Sequence, residues 1–418
     1  MLMAKREPPD HSRGEEVKDM GRGVQVGTAS AAAMVSGHGG PRLVSACPNP
    51  GSLSRTDPLV RLNAICPYYT MFPLEFPWGV LSRARPDEWV LDPFCGRGTT
   101  LFAARLRGVG SVGIDASPVA VALAQSKLVA PSPRAVTQRC EVLLRSGYQP
   151  TAVPTGDFWR WAYHSDTLLE LCRVREQLLA AGSDATTIAL RSLLMGVLHG
   201  PLRKGAPTYL SNQMPRTYAS KPGSAVRFWQ KRSMQPPPVD LLDVVRRRAQ
   251  FSLAQVPPVV PGDVRLGDSA WEIGRLRRRF SWVVTSPPYY GMRTYRPDQW
   301  LRGWFLGADP RVDYSVEGQI RQTSGLGDFV EDLGEVWRAA AGRCLPGARL
   351  VVRFGALPGM KLDPAAILRH SVESARSGWM INVIQPVGDP PTWTRQAAQF
   401  GAAGDYVKEV DCYATLTI

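Results

Sequence analysis

None of the seven cysteines in this 418-residue chain forms a Cys-x-x-Cys pair. Cys47, Cys66, Cys95, Cys140, Cys172, Cys344 and Cys412 are scattered and odd in number. That excludes a disulfide framework and a zinc ribbon, and predicts a reducing, cytoplasmic setting. No apolar run approaches the ~20 residues of a membrane span, and the first residues lack the apolar centre of a secretory signal. No membrane-spanning segment is therefore expected, and of the polyanionic partners that the chain's charge allows, the membrane is not the one its motifs favour. Acidic residues are in deficit, with 36 Asp and Glu against 50 Lys and Arg, for a formal net charge of +14. A basic balance of this size calls for a polyanionic partner, nucleic acid or an acidic membrane surface. At 44% hydrophobic and 21% charged residues, the remainder is ordinary globular composition.

Residues 1–40 have no apolar period and balance five Lys/Arg with five Asp/Glu. They read as a disordered tail rather than a basic arm. Residues 41–130 and 261–418 alternate strand and helix signals. Glu88-Trp89-Val90-Leu91-Asp92 reads as a first strand, and Ser111 to Asp115 as a second. Ser117-Pro118 starts a helix to about Val129. A short strand is expected from Gly262 to Asp268, and another at Trp282-Val283-Val284. A helix from Asp328 to Arg343 leads through Pro346-Gly347 to a strand from Ala348 to Phe354. Trp379–Ile384 and Asp411–Ile418 read as a closing pair of strands, antiparallel at one edge. Between 131 and 260 the rhythm stops. Helices are expected over Thr167–Ala181 and Asp184–Leu198, then a loop-rich stretch of exposed side chains including Tyr209, Asn212 and Trp229, then a helix carrying Arg246-Arg247-Arg248.

Two motifs carry chemistry. After the first strand comes Asp92-Pro93-Phe94-Cys95-Gly96-Arg97-Gly98-Thr99-Thr100, where two glycines between strand and helix let the backbone approach a ligand. Asp115 ends the second strand about 20 residues on, where an acid binds ribose hydroxyls. The second motif is Thr285-Ser286-Pro287-Pro288-Tyr289-Tyr290. Two prolines fix two φ angles and remove two donors, which leaves a stiff loop of carbonyl acceptors, a hydroxyl and an aromatic face. That set suits the exocyclic amino group of a flat base, with Tyr289 stacking on a base that has left its duplex. Between Met195 and Gln250, ten Lys/Arg stand against two Asp/Glu. Basic residues interleaved with aromatics and amides are what contact with a nucleic-acid backbone requires. The expected DNA contacts are Arg203, Lys204, Arg216, Lys221, Arg227, Lys231, Arg232, Arg246, Arg247 and Arg248. His199 reads as a helix-end residue rather than a catalyst.

With both motifs present, the chain resembles the S-adenosylmethionine-dependent DNA amino-methyltransferases. The closest group is similar to the N4-cytosine enzymes, which often carry Ser-Pro-Pro-Tyr; N6-adenine transfer is the alternative. The likeness covers about residues 63–130 and 260–418. It implies an α/β, Rossmann-like sheet of seven mostly parallel strands with an antiparallel last strand, here carrying a mainly helical, basic insertion for target recognition. It implies S-adenosyl-L-methionine on Thr70, Phe72, Asp92, Pro93, Phe94, Cys95, Gly96, Gly98, Thr99, Thr100, Asp115, Ala116, Asp268, Ser269 and Thr285. The implied catalytic loop is Ser286, Pro287, Pro288 and Tyr289, with no metal. Double-stranded DNA is the implied partner and the nucleoid the implied location, with a cognate restriction endonuclease as a further candidate. Cytosine-C5 transfer needs a cysteine nucleophile, usually after proline, and the sequence has no Pro-Cys. The cofactor motif precedes the catalytic motif here, the reverse of many N4-cytosine enzymes.

Overall fold

In a computed structural model the described residues are 57–68, 73–200, 207–212, 221–291, 295–312, 325–356, 362–387 and 409–417. Seven strands form one sheet: β1 (Trp89–Asp92), β2 (Gly110–Asp115), β3 (Gly262–Leu266), β4 (Phe280–Thr285), β5 (Cys344–Gly355), β6 (Trp379–Pro386) and β7 (Glu409–Leu416). Their order is β3-β2-β1-β4-β5-β7-β6. The first five positions pair in parallel, and β7 runs antiparallel to both β5 and β6. This is the expected Rossmann-like sheet with an antiparallel pair at one edge.

The central strands are apolar on successive residues because both faces are covered. Val90, Trp282 and Val284 enter one core, while Leu91 and Val283 enter the other. Thirteen α-helices lie among the described residues. Those of the first half are α1 (Glu75–Val80), α2 (Thr99–Leu106), α3 (Pro118–Gln125), α4 (Pro133–Arg145), α5 (Asp157–Ala162), α6 (Ser165–Ala180) and α7 (Ala185–Val197). The rest are α8 (Pro222–Lys231), α9 (Leu241–Ser252), α10 (Ser269–Gly274), α11 (Tyr295–Phe305), α12 (Leu326–Ala341) and α13 (Pro364–Ser374). Helices α10, α12 and α13 cover one face of the sheet. On the other face, α2 and α3 share a single apolar core with α4–α9 and α11. That core contains an aromatic cluster in which Trp159 meets Trp300 and Trp304, and Phe158 meets Trp229.

Buried Arg105 ties the two ends of the 131–260 segment together. Its guanidinium donates to the carbonyls of Lys127 (2.6 Å), Val129 (2.8 Å), Pro258 (2.9 Å) and Pro257. Burial lowers its pKa to about 10, and these carbonyls keep the charge solvated inside the protein.

Several local expectations need correction. The helix after Pro118 stops at Gln125 rather than near Val129. Strand β3 stops at Leu266, because Asp268 accepts from the Trp271 N–H and caps α10. Strand β5 begins at Cys344 and runs through Pro346-Gly347, with an irregular register against β4 there. The stretch expected to be loop-rich and exposed contains α8, and Tyr209, Asn212 and Trp229 are buried. Pro222 begins that helix, and Ala225, Val226 and Trp229 form its apolar face, so the aromatic belongs to the core.

Candidate active site

The two motif loops leave the sheet side by side. Strands β1 and β4 are parallel neighbours, with Val90 opposite Trp282 and Leu91 opposite Val283. The chain winds outward from here in both directions, β2 and β3 on one side and β5 on the other. A strand order that reverses in this way opens a crevice at the carboxyl ends of the strands. The contact between the loops is direct: the Thr285 hydroxyl donates to Asp92 Oδ1 at 2.6 Å, and both residues are fully buried.

The glycine loop is built by its own backbone needs. Gly96 and Gly98 adopt φ +50° and +82°. At Gly98 a Cβ would sit 2.8 Å from the Ala124 Cα and 3.1 Å from Lys127 Cγ, so only glycine brings α2 this close to α3. The Gly96 N–H donates to Asp115 Oδ2 (2.9 Å), and Asp115 Oδ1 accepts from the Ser117 N–H (2.9 Å). Ser269 donates its hydroxyl to the Pro93 carbonyl at 2.5 Å, fastening the β3 end to the start of the loop. Phe94 meets Trp337 edge-on. Cys95 is buried, its N–H on the Ile114 carbonyl, and burial pushes its thiol well above the usual range. Thr99 and Thr100 are buried in the first turn of α2. Ala116 is exposed beside Asp115.

The electrostatics favour a cation. Asp92 Oδ1 takes hydrogen bonds from Thr285 and the Phe94 N–H, whereas Oδ2 is buried and makes no hydrogen bond of ordinary geometry among the described residues, the Thr100 hydroxyl offering the carboxylate only a loose contact. Burial raises the Asp92 carboxyl from 3.8 to about 6, against the opposing pull of Thr100, Thr285 and the Phe94 N–H, and Asp115 nearby adds to the rise. Burial raises Asp115 to about 6 as well. An ammonium or sulfonium group placed here would relieve both carboxylates. The donor set therefore fits S-adenosylmethionine: an orphaned carboxylate oxygen, a second acid at the next strand end, and a loop whose glycines open the backbone.

The second loop presents Ser286 half-buried, Pro287 buried, and Pro288 and Tyr289 half-buried. The Tyr289 ring lies edge-on to Phe354 at 5.6 Å, and its hydroxyl donates to Glu409 Oε1. Thus Asp92 to Thr100, Asp115, Ser269 and Thr285 come together at the adjoining carboxyl ends of β1, β2 and β4, with the loop to Tyr289 continuing from Thr285 and Asp268 capping α10. Thr70 and Phe72 lie outside the described residues, as do Arg203, Lys204 and Arg216.

Residues 67–126 match the family model described as DNA methylase. The matched segment spans the glycine loop and Asp115, and stops before the Ser-Pro-Pro-Tyr loop. No curated protein matches the chain. Similar solved structures include the rRNA methyltransferase aviRa from Streptomyces viridochromogenes, at 15% identity and TM-score 0.35, covering 89% of this chain and 97% of that one. TrmN from Thermus thermophilus is 12% identical at TM-score 0.34, covering 85% of this chain and 53% of that one. The glycopeptide N-methyltransferase MtfA, complexed with S-adenosylmethionine, is 12% identical at TM-score 0.28, covering 86% and 96%.

The expected DNA-contacting residues divide by element. Lys221, Arg227, Lys231 and Arg232 are exposed on α8 and its two ends. On α9, Arg246 is exposed but ion-paired with Asp243, whereas Arg247 pairs with Asp243 at 2.8 Å and also donates to the Pro207 carbonyl. Arg248 lies half-buried on the same helix. His199 is buried, its Nδ1 is 2.7 Å from Ser211 Oγ, and burial lowers its pKa to about 4, so it is neutral near pH 7.

Sequence reading missed two supports of the site, Lys127 and Glu409, and the particular contact that Ser269 makes. Lys127 is buried, its Nζ donates to the Leu62 carbonyl at 3.0 Å, and its stem lies against Gly98. Ser269 reaches Pro93 from 176 residues away, and Glu409 reaches Tyr289 from 120 residues away. No local pattern marks such partners; only the sheet order brings them together.

Proposed function

We propose that this chain is an S-adenosylmethionine-dependent DNA methyltransferase that methylates the exocyclic N4 amino group of a flipped cytosine. The observation that carries the reading is the Thr285–Asp92 hydrogen bond at the point where the strand order reverses. It sets an anionic, glycine-lined loop beside a loop of acceptors and an aromatic ring, so donor and acceptor of a methyl group can meet in one crevice. The DNA methylase match over residues 67–126 supports the same reading from the cofactor side.

When bound, S-adenosylmethionine supplies an electrophilic methyl group on a sulfonium. The residues that would hold it are Asp92 and the backbone of Phe94 to Gly98 for the methionine portion, Asp115 for the ribose, and Asp268 near the adenine. The protein's own task is then positioning. Ser286 Oγ and the Pro287 carbonyl accept the two N–H hydrogens of the cytosine amino group, which turns the nitrogen lone pair toward the cofactor side. Tyr289 stacks on the base. With the cofactor bound, the lone pair would take up its methyl group, leaving a neutral thioether behind, and the nitrogen would give up one of its protons. Holding the two reactants at contact distance in a dry site supplies most of the acceleration. Exposed Lys221, Arg227, Lys231 and Arg232 give duplex phosphates a binding face.

The test is transfer of a labelled methyl group from S-adenosylmethionine to DNA, followed by digestion to nucleosides. The reading predicts label in N4-methylcytosine, and loss of that label in Ser286→Ala. Label in N6-methyladenine would replace the base assignment, and label in no nucleoside would end the DNA reading.

A further inference from the structure

We propose that Glu409, braced by the Arg353–Asp411 pair, is a positioning residue that fixes the Tyr289 ring on the base-binding loop. The proposal rests on the reading of Tyr289 as the ring that receives the base.

Four observations converge. First, the Tyr289 hydroxyl donates to Glu409 Oε1. Second, the ring needs a notch, and Gly355 makes it: a Cβ there would lie 2.9 Å from Tyr289 Cζ and 3.1 Å from Glu409 Cγ. Gly355 and Glu409 are register partners on β5 and β7, so one strand pair supplies both the notch and the acceptor. Third, two residues along on the same face of the sheet, Arg353 pairs in register with Asp411 and donates to both carboxylate oxygens at 2.8 Å. Both side chains are buried. Arg353 carries the positive charge that allows Asp411 and Glu409 to share one end of β7 without repulsion. Fourth, the Arg353 guanidinium lies 4.0 Å over the Phe76 ring on α1, just ahead of the glycine loop. The brace is therefore anchored on α1 as well as on β5 and β7.

The charged groups facing the phenol are Glu409, Arg353 and Asp411. Burial, then Glu409, pushes the Tyr289 hydroxyl well above its ordinary range. It stays protonated and serves as a donor, not as a base. A ring held at its hydroxyl, at its edge by Phe354 and in its notch by Gly355 keeps one orientation before the base arrives, which lowers the entropy lost on binding.

The experiment is a double-mutant cycle of Tyr289→Phe and Glu409→Ala, with Glu409→Gln as the conservative variant. Each is measured for kcat and KM on DNA and for cofactor Kd by calorimetry. We expect each single variant to lose about tenfold or more in kcat/KM, the scale of one hydrogen bond to a charged group. The double variant should lose no more than the worse single, Glu409→Gln should recover most of the loss through its amide oxygen, and cofactor Kd should stay within about twofold. Multiplying losses in the double variant, or wild-type turnover in Glu409→Ala, overturns the proposal. A second readout does not depend on methyl transfer. In protein with 13C-labelled tyrosine rings, the signal missing from Tyr289→Phe identifies Tyr289. In Glu409→Ala that signal should shift and titrate closer to an ordinary tyrosine; an unmoved signal overturns the anchor. If the wild type methylates no nucleic acid, the functional reading fails, and this signal still decides whether Glu409 holds the ring.

Discussion

Replacing Asp92 by Asn should change how stability depends on pH, by an amount the structure sets. The Asp92 carboxyl is raised from 3.8 to about 6, chiefly by burial. Each pKa step of one is about 1.4 kcal/mol, so the ionised folded form carries a penalty of about 3 kcal/mol. The sign follows from linkage. A folded pKa above the unfolded one means that the folded state binds more protons, so stability from this group is present in full below 3.8 and lost as pH rises through about 6. The amide of Asp92→Asn keeps an oxygen to accept from Thr285 and Phe94, and its NH2 takes the place of the unpartnered Oδ2. Any penalty for that buried amide is constant with pH. It therefore cancels when the stability difference between the two proteins is followed across pH rather than at one value. Urea denaturation of the ligand-free proteins from pH 4 to pH 7.5 is the assay. Wild type should lose up to about 3 kcal/mol relative to Asp92→Asn across that window. Asp115, raised in the same window, titrates in both proteins and largely drops out. A difference that stays flat from pH 4 to pH 7.5 would refute a strained carboxylate at the end of β1, and with it the argument that the crevice is preset for a cation.

Three further perturbations separate the glycine loop from the proposed DNA face. Gly98→Ala places a Cβ 2.8 Å from the Ala124 backbone at φ +82°, so it should destabilise the fold by about 2–4 kcal/mol and abolish cofactor binding; calorimetry with S-adenosylhomocysteine and a thermal melt check both effects. Changing Lys221, Arg227, Lys231 and Arg232 together to Gln should weaken DNA binding and lower the slope of log K against log salt by roughly 3 to 4. An unchanged slope would move the DNA to another surface. Arg247→Gln, by contrast, should act on stability, because its guanidinium serves Asp243 and Pro207.

The sheet and both loops were legible in the sequence because their signals are local. An apolar run ending in Asp92 or Thr285, followed by glycine or proline, states a strand end without reference to the rest of the chain. The helices that sequence reading passed over carried weaker versions of the same signals. Helix α4 has Ser132 as its cap, Pro133 at its start and Val136, Cys140 and Leu143 inward, a thin apolar stripe among polar and basic neighbours. Helix α13 opens with Asp363-Pro364 in the same way. In α8, Trp229 next to Phe228 and Arg227 looked like a nucleic-acid contact, yet tertiary packing takes it into the core. Arg105, Lys127 and Glu409 could not be read at all. Each is an ordinary charged residue whose partner is fixed by strand order and register, and those follow from packing of the whole domain.

The most direct measurement is a crystal structure with S-adenosylhomocysteine and a short cytosine-containing duplex. The account predicts the amino acid portion of the ligand beside Asp92 and the glycine loop, its ribose on Asp115, and a cytosine N4 facing the sulfur from Ser286 and Pro287. A ligand seated on a surface that does not include both Gly96 and Pro288 would contradict it.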